Sequence, residues 1–366
     1  MHALDTGESV EPETLELRSV SGFIVFDLPG APSSAGGTRL APDVAAAEVA
    51  LLARAMTYKY AALGVPVGGA KAGVVGDPAD LAGRAELMSR YCEEIAPLHS
   101  SGRFLTGPDM GTFEEDFAPL RESRAAPSAM SAVVGGVPFE DLLTGFGVTA
   151  AAETALHART GMGWEGRRVA IEGFGKVGGG IAREVSQRGG RVVAISTVAG
   201  AIEDPTGLDI DRLLALRREF GDGCVAHYGR GVAPPSMLFT VEADVIVPGA
   251  RPGSISGSVA ESMASSVSVV APAANVPYTQ AGADVLGRRK IAALPDFVCN
   301  AGAVIGYRSD PLATPDEVLA AVQDKITEIM RAVLSHPDGP LAGGCERAAL
   351  FLRSWWGEPP DPPFAA

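Results

Sequence analysis

The chain has 366 residues, 46% of them hydrophobic, with a mean hydropathy of +0.17, enough for two domains with substantial cores. A formal net charge of -14 argues against nucleic acid or an anionic membrane surface as partner. Five scattered histidines without ligand spacing argue against a bound metal, and four cysteines with no C-x-x-C pair, an acidic start and no apolar run of about 18 residues predict a reduced, cytoplasmic protein.

Residues 1–12 read as a frayed acidic leader, and alternation over 14–20 and 22–27 predicts strands of a first sheet. Pro42 to Tyr60 reads as a helix with Asp43 in its first turn, 65–75 as strand and loop, and 78–95 as a helix. Residues 103–112 form a strand ending in a loop at Asp109, and 113–140 a helix followed by a glycine-bearing connection. A helix over 146–160 leads into short, apolar, β-branched segments at 168–172, 191–196, 244–247, 267–271 and 291–294, the signature of buried parallel strands. Helices near 209–220 and 315–335 intervene or follow. The expected domains are 13–145, with 306–356 returning to it, and 146–305, before a proline-rich tail at 357–366.

Three residues suggest a site for a small carboxylate: Lys59, Lys71 and Asp109. A lysine is ordinarily a solvated surface charge. Lys71, however, follows Leu63-Gly64-Val65-Pro66-Val67-Gly68-Gly69-Ala70, which carries no other charge, and a partly desolvated lysine suits proton transfer or polarisation of a carbonyl and its attacking water. Lys59, on a helix with Leu51, Leu52, Ala55 and Met56 at helical spacing, is suited to hold a substrate carboxylate, and Asp109 supplies an acid/base.

The second motif is a strand, Arg168-Val169-Ala170-Ile171-Glu172, running into Gly173-Phe174-Gly175-Lys176-Val177-Gly178, then a helix over 176–188 and a second strand at 191–196. G-x-G-x-x-G alone is weak in a chain with 45 glycines; the βαβ context makes it a dinucleotide fingerprint, in which backbone and helix N-terminus receive a pyrophosphate.

These stretches, with Gly36-Gly37-Thr38-Arg39, Met56-Thr57-Tyr58-Lys59, Pro108-Asp109-Met110-Gly111-Thr112, Thr144-Gly145-Phe146-Gly147-Val148, Ala243-Asp244-Val245-Ile246-Val247-Pro248, Ala274-Asn275 and Pro295-Asp296-Phe297-Val298-Cys299-Asn300, resemble in collinear order the glutamate/leucine/phenylalanine/valine dehydrogenase family. The resemblance implies an α/β fold, an N-terminal α/β substrate domain plus a Rossmann-type dinucleotide-binding domain with a cleft between them. It implies NAD(P)-dependent, reversible oxidative deamination of an L-amino acid to a 2-oxo acid and ammonia. By position, Lys59 then binds the α-carboxylate, Lys71 activates the water that attacks an iminium, and Asp109 moves protons to and from the amino group. Gly36 and Gly37 line the substrate, Asn300 contacts its α-substituents, Thr144 and Asn275 lie near the nicotinamide, and Ala274 belongs to the cofactor site. The family assembles as hexamers or octamers, and the short region before the first motif implies a smaller homo-oligomer, a dimer.

Family members acting on glutamate carry a lysine immediately before the Gly-Gly-x-Arg block, where this chain has Ala35, and usually a serine seven residues after the motif asparagine, where it has Tyr307. A neutral branched or aromatic side chain is therefore expected, with Tyr307 either a pocket residue or core. After the second Rossmann strand the family's ribose-binding acid is replaced by Ser196-Thr197 with no Arg or Lys following nearby, which leaves NAD and NADP both open. Such departures also admit a specialised homologue acting on a modified amino acid or imine, and a catalytically silent binding or regulatory homologue. Intact Lys59, Lys71 and Asp109 weigh against silence. Cys299 is expected to be a small buried hydrophobe rather than a nucleophile.

Overall fold

The computed structural model describes residues 11–123, 128–134 and 137–365, so most of the acidic leader lies outside the described residues. The chain divides into two compact units, 1–125 with 346–363, and 126–345 with 364–366.

In the first unit the strand Gly68–Val75 is the organising element. Gly22–Phe26 pairs with it antiparallel, Ser34–Ala35 and Thr38–Ala41 pair with it parallel, and Glu13–Glu16 and Phe104–Leu105 extend the sheet at its edges. Successive strand residues face opposite sides. Ala70, Ala72 and Val74 therefore join a core with Ile24, Phe26, Met88, Tyr91 and Ile95, the last three from the helix Leu81–Ser100. The other face carries Gly69, Lys71 and Gly73 and is covered by the helix Ala46–Ala62, whose Val49 and Ala53 pack with Phe23 and Val25. That helix begins later than the sequence suggests: Ala45 is its extended N-cap, Asp43 precedes it, and the acid in its first turn is Glu48.

The second unit holds a six-stranded sheet in the order Gly200–Glu203, Arg191–Thr197, Arg168–Glu172, Val245–Val247, Val269–Val270, Ala292–Ala293. All neighbours run parallel except the first pair, an antiparallel hairpin that the sequence reading did not include. This is a doubly wound order, with the fingerprint at the carboxyl end of the strand where the winding reverses.

The domain division differs from the expected one. The helix Pro315–Leu334, assigned from sequence to the first domain, packs in the second unit against Phe139–Thr160 through the stripe Val318, Val322, Ile326, Ile329, Met330 and Val333. An apolar stripe at helical spacing must be covered, and Phe139–Thr160, itself starting earlier than expected, provides the surface. The chain re-enters the first unit at Glu346. The proline-rich tail then lies along the helix Ala46–Ala62, where the Tyr58 hydroxyl donates to the Pro360 carbonyl at 2.7 Å and Arg54 donates to that of Asp361 at 2.9 Å. Among the described residues no helix is long and apolar enough to cross a membrane.

Candidate active site

Lys71 stands in the middle of the Gly68–Val75 strand, on the face covered by Ala46–Ala62, and is only 3% exposed. Its Nζ lies 3.1 Å from Asp109 Oδ2. The same carboxylate oxygen receives Arg39 Nε at 3.2 Å, and Arg39 also pairs with Glu48. Burial alone would raise the Asp109 pKa; the adjacent Lys71 and Arg39 charges and their hydrogen bonds outweigh it and hold the carboxyl below the usual carboxylate range. The Asp109 loop is tied down by Thr112, whose Oγ1 accepts from the Asp109 N–H at 2.9 Å and donates to the Thr38 carbonyl at 2.9 Å.

Gly37 must be small here. A Cβ on it would stand 2.7 Å from the Pro108 carbonyl oxygen and 3.3 Å from Lys71 Nζ, so the Gly36-Gly37 backbone forms one wall of the Lys71–Asp109 pair. Ala35, just before it, is buried in the short strand between Gly68–Val75 and Phe104–Leu105. Lys59, 6% exposed, is in the last turn of the helix covering the Lys71 face.

The sequence reading omitted Arg39 as a site residue, although it stands inside the Gly36-Gly37-Thr38-Arg39 motif; an arginine that closes a glycine block and is buried in the fold was the available signal. It also missed a buried support. Asp27 is fully buried and accepts from Arg54 Nε at 2.5 Å and Thr57 Oγ1 at 2.5 Å, while Thr57 Oγ1 accepts from the Gly69 N–H at 2.9 Å. Burial raises the Asp27 pKa, opposed by Arg54 and Thr57. The network joins the helix that carries Lys59 to the strand that carries Lys71. Nothing in the local sequence connects Asp27 to Thr57, since the contact is made between the end of the strand Gly22–Phe26 and the helix that covers the sheet.

In the second unit the three fingerprint glycines occupy three different environments. Gly173 has φ +82°, a turn conformation open to glycine; a Cβ on Gly175 would meet nothing within 4 Å; and one on Gly178 would stand 1.9 Å from the Gly173 carbonyl oxygen. A tight turn, open space beside the second glycine and close contact at the third are the requirements of a pyrophosphate cradle at a helix N-terminus. The Gly173 and Phe174 N–H groups both donate to the Ser196 carbonyl at 3.0 Å, locking the turn to the second strand, and Lys176 and Val177 open the helix Lys176–Gln187. Gly178→Ala is expected to abolish NADH binding, followed by fluorescence titration, and to lower the melting temperature, because the backbone cannot yield by the distance a methyl requires.

Asn300 is buried, and its Nδ2 donates to Asn275 Oδ1 at 2.9 Å and to the Ala273 carbonyl at 3.1 Å. Its Oδ1 is a buried acceptor with no protein donor, a polar atom that calls for one. Ala274 and Asn275 follow the Val269–Val270 strand, and the next residue, Val276, is held at φ +51° with its N–H on Asp296 Oδ2 at 2.9 Å. A β-branched residue in that region is strained, and the buried Asp296 carboxylate offsets the strain beside Asn275. These groups fit the polar edge of a bound dinucleotide, with the buried Asn300 Oδ1 able to accept from it.

Thr144 falls inside the Phe139–Thr160 helix rather than before it, with Oγ1 on the Glu140 carbonyl at 3.4 Å. That helix packs on both Lys176–Gln187 and Gly302–Gly306, which places its segment among the fingerprint and the Asn300 loop. Tyr307 is 37% exposed and donates to Glu140 Oε2 at 2.8 Å, so core packing is not its environment. Thr197 Oγ1 is bonded to the Asp222 carbonyl at 2.7 Å. Cys299 is fully buried, and burial together with the Asp296 charge pushes its thiol well above its ordinary range, the behaviour of an inert core cysteine. Among the described residues no group of His, Cys, Asp or Glu is placed to hold a metal ion.

Residues 9–124 match the family model described as Glu/Leu/Phe/Val dehydrogenase, dimerisation domain, and residues 135–337 that described as Glutamate/Leucine/Phenylalanine/Valine dehydrogenase. A glutamate dehydrogenase of Aeropyrum pernix is 30% identical over 320 residues, 82% of this chain and 75% of that protein. An NAD-specific glutamate dehydrogenase of Staphylococcus aureus is 34% identical over 280 residues, 74% of this chain and 66% of that protein. A hetero-hexameric glutamate dehydrogenase of Thermus thermophilus, in a Leu-bound form, superposes with a TM-score of 0.79 at 26% identity, covering 94% of this chain and 90% of that one. An L-tryptophan dehydrogenase of Nostoc punctiforme shares the fold with a TM-score of 0.63 at 20% identity, covering 94% and 97%. The chain belongs to the glutamate/leucine/phenylalanine/valine dehydrogenase family, and is an amino acid dehydrogenase that works with NAD or NADP.

Proposed function

We propose that the protein catalyses the reversible oxidative deamination of a neutral L-amino acid, branched or aromatic, to the 2-oxo acid and ammonia. The observation that carries the neutral side chain is Ala35, a buried methyl immediately before the Gly36-Gly37 wall. The neighbouring cations have other work: Arg39 is bound to Asp109 and Glu48, Lys71 to Asp109, and Lys59 is assigned to the α-carboxylate. A side-chain carboxylate buried without a cation costs several kcal/mol. The proposal thus parts from the relatives named for glutamate at one position of the pocket.

In this reading Lys59 fixes the α-carboxylate, and Asp109, ionised at neutral pH, accepts a proton from the substrate ammonium. The dinucleotide supplies the hydride acceptor, held by Gly173 to Gly178, Ser196, Thr197, Ala274, Asn275 and Asn300. The Lys71 ammonium then polarises the water that adds to the substrate iminium, and Asp109 relays protons between that water and the departing ammonia. One amino acid, one water and one oxidised cofactor yield one 2-oxo acid, one ammonium, one reduced cofactor and one proton. Self-association through the first unit, as a dimer, is part of the same proposal.

The test is the appearance of reduced nicotinamide absorbance with purified protein, NAD or NADP, and a panel of L-amino acids. Turnover of leucine, valine, phenylalanine or tryptophan with none of glutamate is the expected result, and efficient glutamate turnover overturns the neutral-substrate reading. A protein that binds dinucleotide and turns over none of the panel belongs to the class working on a modified amino acid or imine.

A further inference from the structure

Rossmann domains recognise the adenosine ribose at the end of the second strand, where an Asp or Glu accepts from a free 2′-hydroxyl and a nearby Arg receives a 2′-phosphate. In this chain the second strand, Arg191–Thr197, ends without an acid, and the residues that follow offer no cation. The fold brings both charges to that point from elsewhere. Thr197 Oγ1 accepts from the Ala199 N–H at 3.1 Å and donates to the backbone carbonyl of Asp222 at 2.7 Å, which pins the Gly221–Gly223 turn, at the end of the helix Ile210–Phe220, against the strand end. The Asp222 carboxylate pairs with Arg217, in the last turn of that helix. Both side chains remain open to solvent, 51% exposed for Asp222 and 30% for Arg217, and the hairpin tip beside them, Val198, is 86% exposed.

We infer that Asp222 stands in for the missing strand-end acid: its carboxylate, steadied by Arg217, accepts from the ribose hydroxyls and repels a 2′-phosphate, so that the enzyme selects NAD over NADP. The inference rests on the dinucleotide use described above and adds the residue that decides between the two cofactors. Arg217 has a second consequence. While paired it only orients Asp222; once the carboxylate charge is removed it becomes a free guanidinium at the 2′ position, the arrangement that welcomes phosphate.

The experiment is calorimetric titration of the full-length protein with 5′-ADP and with 2′,5′-ADP, which reads the ribose end of the site without turnover. Wild type is expected to bind 5′-ADP about tenfold more tightly than 2′,5′-ADP, or better, as a hydrogen bond to a charged group implies. Asp222→Asn keeps the backbone carbonyl that bonds Thr197, so the corner stays in place, and should improve 2′,5′-ADP binding by about tenfold. Adding Arg217→Ala to Asp222→Asn should remove that gain. A wild type that prefers 2′,5′-ADP, or an Asp222→Asn variant with an unchanged affinity ratio, overturns the inference while leaving dinucleotide binding intact. A protein that binds neither nucleotide overturns the dinucleotide reading and the inference with it.

Discussion

Lys71→Ala is expected to lower kcat for amino acid deamination by about 10³-fold, the scale on which a positioned acid/base or charge-stabilising group acts. Dinucleotide affinity should stay within twofold of wild type, because the fingerprint is in the other unit and shares no residue with the Lys71 strand. The ammonium of Lys71 is nearly excluded from solvent and lies 3.1 Å from Asp109, so no exposed lysine can substitute for it and water cannot reproduce its fixed charge. Removing it also strips Asp109 of one of the two cations that hold its pKa down. The acid limb of the residual pH–rate profile should therefore move toward higher pH. Turnover within tenfold of wild type would remove Lys71 from the chemistry, and loss of NADH binding in the same variant would point to a folding defect instead.

Asp109→Asn tests the other half of the pair and should cost about 10²–10⁴ in kcat, since an amide of the same shape can neither take nor return the ammonium proton. The carboxylate also neutralises two cations at once, Lys71 and Arg39. The amide leaves these as like charges close together, so stability should fall as well. Its pH dependence has a definite sign. A carboxyl depressed in the folded state contributes stability that is present above the unfolded value of about 3.9 and is lost as pH falls through the lower folded value. Wild type and Asp109→Asn should thus differ in melting temperature at neutral pH and converge as pH falls below the unfolded carboxylate range and through the depressed folded value. A difference that persists unchanged into acid would show that geometry, not charge, is what Asp109 supplies.

The candidate residues could be picked out because their motifs are local. The fingerprint requires glycines at fixed offsets between a strand and a helix, and the structure shows a separate physical reason for each of Gly173, Gly175 and Gly178. Lys71 was marked by its uncharged surroundings, and the strand holding it is indeed buried over seven of its eight residues. Periodicity was a poorer guide to where helices belong. The stripe on Pro315–Leu334 announces a buried face but not what covers it, and the sequence reading chose the wrong unit. The early start of Phe139–Thr160 was hidden for a similar reason: the expected helix began at Phe146, just after Gly145, and that glycine sits inside the observed helix in close contact with the helix Lys176–Gln187.

The dinucleotide fingerprint and the candidates Lys59, Lys71 and Asp109 can be read from spacing and turn chemistry, because each depends on residues close together in the chain, while the fold class comes from the collinear family motifs. The Arg39–Asp109–Lys71 cluster, the Asp27–Arg54–Thr57 support beneath it and the Asp222–Arg217 pair at the strand end are made by residues from different elements. Their charges and distances depend on which faces the sheets bury and which helix covers each face, and only the folded chain determines that.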